Sequence, residues 1–360
     1  MLRRAVCVLA ALGGAASARA QLSVGAGLAT VRYPGGSTLS TVSLTPAYLY
    51  AVPTFTANLT GALASLPDGA AYGQTRADLW AASAPLGDPR LRWGAEGIAT
   101  VAARSNGGGT AAAHGIVEVL WSKPEWGVGF GGGPSWGGIQ WQPSVSALHL
   151  RARAWWQRGS ASASFAVEPT RFLGAWFTDV TAGLTVSPPD GKVVASFSAG
   201  GRISRTYGSK GVASAFLQYF ASPRLAIEGG GGAYLSDPYQ GFPRAGYVAA
   251  GVRWFPPARP APTAVTRNAP PLVPYRRGDS LFVRFRMPGA KSVALAGDWN
   301  RWSPVPLHGL GDDVWEGAIT LAAGTYRFNL LVDGHDWVVP AGVATLSDGL
   351  GGLVALLVVP

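Results

Sequence analysis

Residues 296–307 read AGDWNRWSPVPL, placing Trp299 and Trp302 three apart in a polar stretch that closes on a Pro-x-Pro pair. An indole is usually buried, so two of them in a loop imply either a surface kept for contact or a loop folded onto its own core. Other side chains able to do chemistry are sparse. Asp312 with Asp313, and Asp333 with Asp336, have the composition of a glycosidase dyad, but they fall in expected turns of a small β unit with no cleft for a sugar chain. His114, His149, His308 and His335 are scattered, none at metal-ligand spacing, and each reads as a lone surface or lumen residue. The sequence has no P-loop and no strand-turn-helix dinucleotide fingerprint. The expectation is a non-catalytic chain without cofactor or metal.

The elements that position these residues begin behind a targeting segment. MLRRAVCVLAALGGAASARAQ has Arg3 and Arg4, an apolar run from Ala5 to Leu12, and small residues closing on Ala18-Arg19-Ala20. Residues 1–20 therefore read as a signal peptide; the run is far short of the ~20 residues that span a bilayer. Cys7, the one cysteine, lies within it, so disulfides and thiolate chemistry are excluded from the mature chain. The formal charge of +10 falls to +7 once Arg3, Arg4 and Arg19 are lost. That excess is modest and dispersed, which argues against nucleic acid and suits anionic headgroups. Charged residues are only 13% of the chain, against 50 Gly and 14 Trp, a composition fitting a β protein with an apolar exterior.

Seven prolines between Pro256 and Pro274 mark a semi-rigid spacer at residues 256–274. Before it, residues 21–255 show two-residue alternation. Phe55, Ala57, Leu59, Gly61 and Leu63 alternate with Thr54, Thr56, Asn58, Thr60 and Ala62; Val193, Ala195, Phe197, Ala199 and Ile203 oppose Lys192, Ser196, Ser198, Arg202 and Ser204. Turn clusters such as YPGGS, LPDGA, SPPDG and SDPYQG separate the runs. Glycine runs FGGGPSWGG and EGGGGAYL read as turns and as strands where bulky neighbours need room. A soluble sandwich or barrel buries the apolar face, whereas a transmembrane barrel turns it to lipid.

Three features favour the membrane. The polar face is small and mostly uncharged, a poor outer coat but a suitable lumen. Aromatic residues gather near run ends (Tyr48, Tyr50, Trp80, Trp93, Trp121, Trp126, Trp155, Trp176, Trp254), where interfacial girdles lie. No stretch is long and apolar enough for a membrane helix. The expectation is an all-β fold: an antiparallel, transmembrane barrel of about 12 strands, closing on RAGYVAAGVRWF. This last run resembles the terminal strand that barrel assembly machinery reads, although Arg253 interrupts its alternation. A lumen bearing Arg151, Arg153, Lys192 and Arg202 would favour anions.

Residues 275–360 form a second β unit of soluble character, whose strand spacing suggests an immunoglobulin-like sandwich. The order VALAGDWNRWSPVPL, Trp315, GTYRFNLLVDGHDWVVP and SDGLGGLVALLVV resembles carbohydrate-binding module family 48. That family includes the glycogen-binding domain of AMP-activated protein kinase β subunits and accessory domains of starch-branching and debranching enzymes. The resemblance implies that Trp302 and Trp337 stack on glucose rings of an α-1,4-glucan, with Asn329 and Leu350 beside them. It makes Trp299, where the family has phenylalanine, the core anchor. The polar clamp departs from the family: Asn329 replaces a lysine, Val354 an asparagine, and Gly352 stands where threonine occurs. A structural or protein-contact role for this unit stays open.

The functional expectation is a bacterial outer-membrane barrel, anchor or pore, bearing a periplasmic α-glucan-binding-like module, its partners an α-glucan, outer-membrane lipid and the barrel assembly machinery. The alternative is a secreted soluble two-domain β protein with a structural or glycan-binding role.

Overall fold

The computed structural model describes residues 19–52, 55–83, 86, 90–123, 125–158, 160–188, 191–256, 271–278, 280–334, 336–347 and 353–360. The expected leader up to residue 18, most of the expected spacer, and residues 348–352, with Leu350 and Gly352, lie outside the described residues. The chain separates into two compact units, a larger one of Gln21–Leu49 with Thr54–Val265 and a smaller one built mainly on Thr266–Pro360.

The larger unit is a closed antiparallel barrel of fourteen strands in simple meander order. They are β1 (Arg19–Arg32), β2 (Thr38–Val52), β3 (Phe55–Ser65), β4 (Ala71–Ala82), β5 (Leu91–Arg104), β6 (Gly109–Ser122) and β7 (Trp126–Ile139), then β8 (Val145–Arg158), β9 (Ala161–Phe172), β10 (Ala175–Val186), β11 (Val193–Ile203), β12 (Lys210–Ser222), β13 (Leu225–Tyr234) and β14 (Ala245–Trp254). β14 pairs back onto β1, from Val24↔Trp254 to Arg32↔Gly246, so no edge remains. Among the described residues no helix is long and apolar enough to cross a membrane.

The count corrects the expected dozen, for two physical reasons. The glycine run FGGGPSWGG lies wholly inside β7, and EGGGGAYL almost wholly inside β13, where missing side chains erase the apolar–polar alternation. Some connections are also too short to register as breaks. β9 and β10 are joined by Leu173 and Gly174 alone, both at positive φ (47° and 82°), the signature of a two-residue hairpin turn.

Alternation holds around the wall. On β8, Leu148, Leu150 and Trp156 point outward and are exposed, while His149 and Arg151 point inward and are buried. Outward residues elsewhere include Leu28, Val117, Phe130, Phe197 and Val248, each more than half exposed. Arg253 obeys the same rule: it faces inward between outward Val252 and Trp254, so the last strand is regular.

The smaller unit has two sheets. One is ordered β15 (Tyr275–Arg277), β16 (Ser280–Arg286), β20 (Val314–Ile319), β19 (His308–Gly311). The other is ordered β18 (Val305–Pro306), β17 (Val293–Gly297), β21 (Gly324–Val332), β24 (Leu353–Val359), β23 (Thr345–Ser347), with β22 (Asp336–Val338) also on β21. Inward residues of both sheets meet in one core: Leu281, Val283 and Phe285 from β16 against Leu295, Phe328, Leu330 and Leu357. Leu272, within the expected spacer, bridges in parallel to Leu357.

Candidate functional site

The barrel interior holds the first candidate. β7 presents Gly127, Gly129, Gly131, Gly133, Ser135 and Gly137 inward, a strip with almost no side chains. A Cβ on Gly127 would lie 2.3 Å from the Trp155 ring, and one on Gly129 would meet Leu120 at 2.9 Å and Arg153 at 3.3 Å. At Gly131 and Gly133 the obstruction is backbone, Val117 O at 2.0 Å and Gly115 O at 1.9 Å. The strip is therefore a bed on which larger groups from β6 and β8 lie flat.

Those groups form an ion network. Arg151 Nε donates to Glu118 Oε1 at 2.7 Å and its Nη2 to Glu96 Oε2 at 2.8 Å, with Glu168 at 3.7 Å. Arg153 Nη2 reaches Glu118 Oε2 at 2.8 Å, and its guanidinium stacks over Trp80 and Trp155 at 4.3 and 5.2 Å from their ring centroids. Glu118 is completely buried. Elsewhere on the inner wall Arg202 forms a two-point pair with Asp179, and Arg76 contacts Asp78 at 2.6 Å. Arg253 pairs with Glu228 at 2.8 Å and also donates to Ser23 Oγ and to Thr45 O and Oγ1, which ties β14 to β13, β1 and β2 across the closing seam. Gly25 leaves the room: a Cβ there would meet Thr45 Oγ1 at 2.4 Å and Arg253 Nη2 at 2.9 Å.

These pairings correct two sequence expectations. Arg151, Arg153 and Arg202 are each matched by carboxylates, so they supply no net anion bias; Lys192 sits outside the strands, just before β11. Trp80 and Trp155 belong to the interior as platforms for Arg153, not to an outer girdle. Trp93, Trp126, Trp176 and Trp254 are exposed near strand ends.

Sequence reasoning missed the ten-residue β13–β14 connection, read only as a turn. Tyr239 and Gln240 at its tip are 6% and 4% exposed. Asp237 shapes it, its carboxylate accepting the backbone N–H groups of Tyr239 and Gln240 while Asp237 bridges Phe242. Gln240 Nε2 donates to Thr110 Oγ1 at 3.0 Å, and the Tyr239 ring meets Phe172 and His114 edge-on at 5.0 and 4.9 Å. Tyr239 lies over Gly137, where a Cβ would come within 2.4 Å of it. The signals for this loop were its length, ten residues against two to eight in the other barrel connections, and a tyrosine at its centre. His114 and His149, separate in sequence, are neighbours here, 5.9 Å between ring centroids, and His114 Nδ1 contacts Ser135 Oγ. Among the described residues no three metal-type side chains converge.

The second candidate is the aromatic pair of the smaller unit. Gly297 N–H donates to Asn300 Oδ1, Asn300 Nδ2 to Leu295 O, and Trp302 N–H to Gly297 O, which fixes a single 3-10 turn over Asp298–Asn300. Arg301 and Trp302 then both take positive φ (56° and 58°), turning the Trp302 indole back toward β22. There Trp337 stands with its ring centroid 6.3 Å away and its plane inclined by 64°. Both indoles are half-buried, and Trp302 Nε1 is buried without a hydrogen-bond partner. Trp299 packs against the core and edge-on to Tyr326. Asn329 is buried inside the sheet, its Oδ1 accepting the N–H of Ala355, and Val354 is also buried. The structure thus brings Trp302 and Trp337 together and makes Asn329 a buried residue of β21, bonded to β24. Leu350 and His335 lie outside the described residues.

Glu316 on β20 accepts hydrogen bonds from the Tyr275 hydroxyl and from Arg284, which hold its carboxyl below the ordinary carboxylate value.

No curated protein matches the chain. Among solved structures the chain is similar in outline to an anion-selective porin from Comamonas acidovorans (10% identity, 66% of this chain and 98% of that one, TM-score 0.37). It is also similar to an outer membrane protein of Acinetobacter baumannii (13%, 65% and 97%, 0.38) and to the toluene transporter of P. putida (10%, 66% and 89%, 0.34). Residues 281–360 match the family described as the glycogen recognition site of AMP-activated protein kinase.

Proposed function

We propose that the chain is a non-catalytic outer-membrane β-barrel of a Gram-negative-type bacterium carrying an α-glucan-binding module of immunoglobulin-like sandwich type. The observation that carries this reading is the inverted wall of the barrel. Large apolar side chains are exposed on its outside and ion-paired arginines are buried within, the reverse of what a water-soluble barrel needs. Exposed tryptophans near strand ends suit the headgroup level. An even number of antiparallel strands returns β14 to the rim where β1 begins, which supports a periplasmic position for everything beyond residue 255, with lipid and the barrel assembly machinery as partners.

For the smaller unit, the matched family and the Trp302–Trp337 corner support stacking on the C–H faces of consecutive glucose rings. With Asn329 and Val354 inside the sheet, few polar groups flank the rings, and affinity rests on the indoles.

Membrane fractionation with a heat-modifiable gel shift tests the barrel. A folded monomer of the mature chain dispersed in plain buffer refutes it. Affinity electrophoresis in glycogen-containing gels tests the module: retardation of the wild type that is lost in Trp302→Ala and Trp337→Ala supports glucan binding, and equal mobility with and without glycogen refutes it.

A further inference from the structure

We propose that residues 235–244 form the selectivity constriction of the barrel, and that the lumen beside them admits small uncharged hydrophilic solutes in preference to ions of either sign. This deepens the reading of the chain as a pore-forming barrel and rests on it.

The loop leaves the wall between β13 and β14 and docks on β6, β7 and β9. In a ring of fourteen, β6 and β7 stand seven strands from β13 and β14, diametrically opposite. The crossing is built in at each stage. Near its root Arg202, already paired with Asp179, donates through Nη1 to Ser236 O at 3.1 Å. At its tip Tyr239 enters a buried cluster with Phe172, Phe177 and Ala112, and Gln240 bonds to Thr110. Gly137 is the seat, and Gly241 passes so close to Ile139 that a Cβ there would meet Cδ1 at 2.6 Å. A segment held by a charged hydrogen bond, a side-chain amide hydrogen bond and an aromatic cluster is part of the wall, not a free flap.

Selectivity follows from what the walls offer. Pores that sort ions by sign carry rings of one charge. Here each arginine described above is neutralised by a carboxylate within its own cluster: Arg76 by Asp78, Arg151 and Arg153 by the β5–β6 glutamates, Arg202 by Asp179, Arg253 by Glu228. From these pairs a passing ion gains no single-sign field, and it still loses water on entry. The network and the loop tip occupy the β5–β10 side. Away from them, beyond the Arg202–Lys210 end, the inner face of β11 and β12 is open: Phe216 is 41% exposed there, beside hydrogen-bonded Ser198 and Ser214. Hydroxyls and one aromatic face accommodate a neutral polyhydroxylated ring at little cost in lost hydrogen bonds.

The test uses the full mature chain in lipid vesicles and planar bilayers, with a heat-modifiable gel to establish that each variant has folded and inserted. The probes are glucose, glucosamine and gluconate for vesicle swelling, and a potassium chloride gradient for reversal potential. Expected are a potassium-to-chloride permeability ratio within about threefold of unity and faster swelling in glucose than in either charged analogue. Replacing residues 236–243 by Asn-Gly should raise single-channel conductance and remove the discrimination; Tyr239→Ala with Gln240→Ala, which frees the tip at unchanged length, should act in the same direction. A ratio of about tenfold or more toward either ion, equal swelling in all three solutes, or conductance unaltered in both variants would overturn the proposal. An inserted barrel that passes no solute with or without the loop overturns it as well. Failure to insert strikes instead at the outer-membrane reading, and the gel shift separates the two.

Discussion

Val117 lies near the middle of β6 with its side chain outward and 57% exposed, whereas Leu225 opens β13 at the barrel rim and is 41% exposed. Replacing each by arginine separates the two environments that the outer wall can face. In a bilayer an arginine at mid-depth costs about 2–4 kcal/mol, and near the interface about 0–1 kcal/mol, because the guanidinium can reach the headgroups. Val117→Arg should then shift the folding equilibrium by roughly thirty- to a thousandfold and Leu225→Arg by little. If the same wall faced water, both would be exposed surface substitutions, within about 0.5 kcal/mol of wild type. The measurement is urea unfolding in phospholipid vesicles, followed by tryptophan fluorescence and by the gel shift of the folded form. A flat response, with both variants near wild type, would refute the assignment of the apolar face to lipid. So would equal losses at the two sites, since the membrane argument requires a dependence on depth.

Three further outcomes are expected. Arg253→Met leaves Glu228 on the inner wall without its cation and unties four strands at the seam, so urea stability should fall by about 3–5 kcal/mol, with Arg253→Lys restoring part of it. Asn329→Ala removes the acceptor of the Ala355 N–H and should lower the stability of the smaller unit by about 1–3 kcal/mol in a thermal melt; an unchanged melt with weakened glycogen retardation would instead make Asn329 a sugar contact. Glu316, held low by Tyr275 and Arg284, contributes stability that is complete above the ordinary carboxylate value and is lost as pH falls through its lower folded value; Glu316→Gln should flatten this acid limb in pH-dependent unfolding.

The outward face of the barrel was legible because its signal is a simple period of two in large apolar groups: Phe197 and Ile203 on one side of β11, Ser198 and Arg202 on the other. The inward face was not, because its order lies in pairs remote in sequence. Arg151 meets Glu96 across fifty-five positions, and Arg253 meets Thr45 across more than two hundred. Arg253 looked like a fault in its strand only while the partner that makes it fit was unknown. In the smaller unit, motif order was enough to pair Trp302 with Trp337. The burial of Asn329 depends on where β24 runs beside β21, which no local pattern encodes.

The glycines of β7 connect these levels. A strand of fourteen residues whose inner face is nearly bare has weak intrinsic preference for extended structure and would be a poor choice on propensity alone. Its neighbours supply what it lacks. Glu118, Arg153 and Trp155 from β6 and β8 cover it at one level, and the tip of the β13–β14 loop covers it at another, through Gly137. Any of these glycines replaced by a larger residue would hold the network or the loop away from the wall and push it into the lumen. The strip therefore makes the barrel interior asymmetric: the largest ion network and the docked loop tip are stacked against β5–β10, and the Ser198–Ser214 stretch of the inner face of β11 and β12 is left clear. Had Arg151, Arg153, Trp155 and the loop tip no bare strand to receive them, they would project into the lumen and narrow the wall left for a solute. That asymmetry ties the folding role of the glycines to the transport role of the lumen.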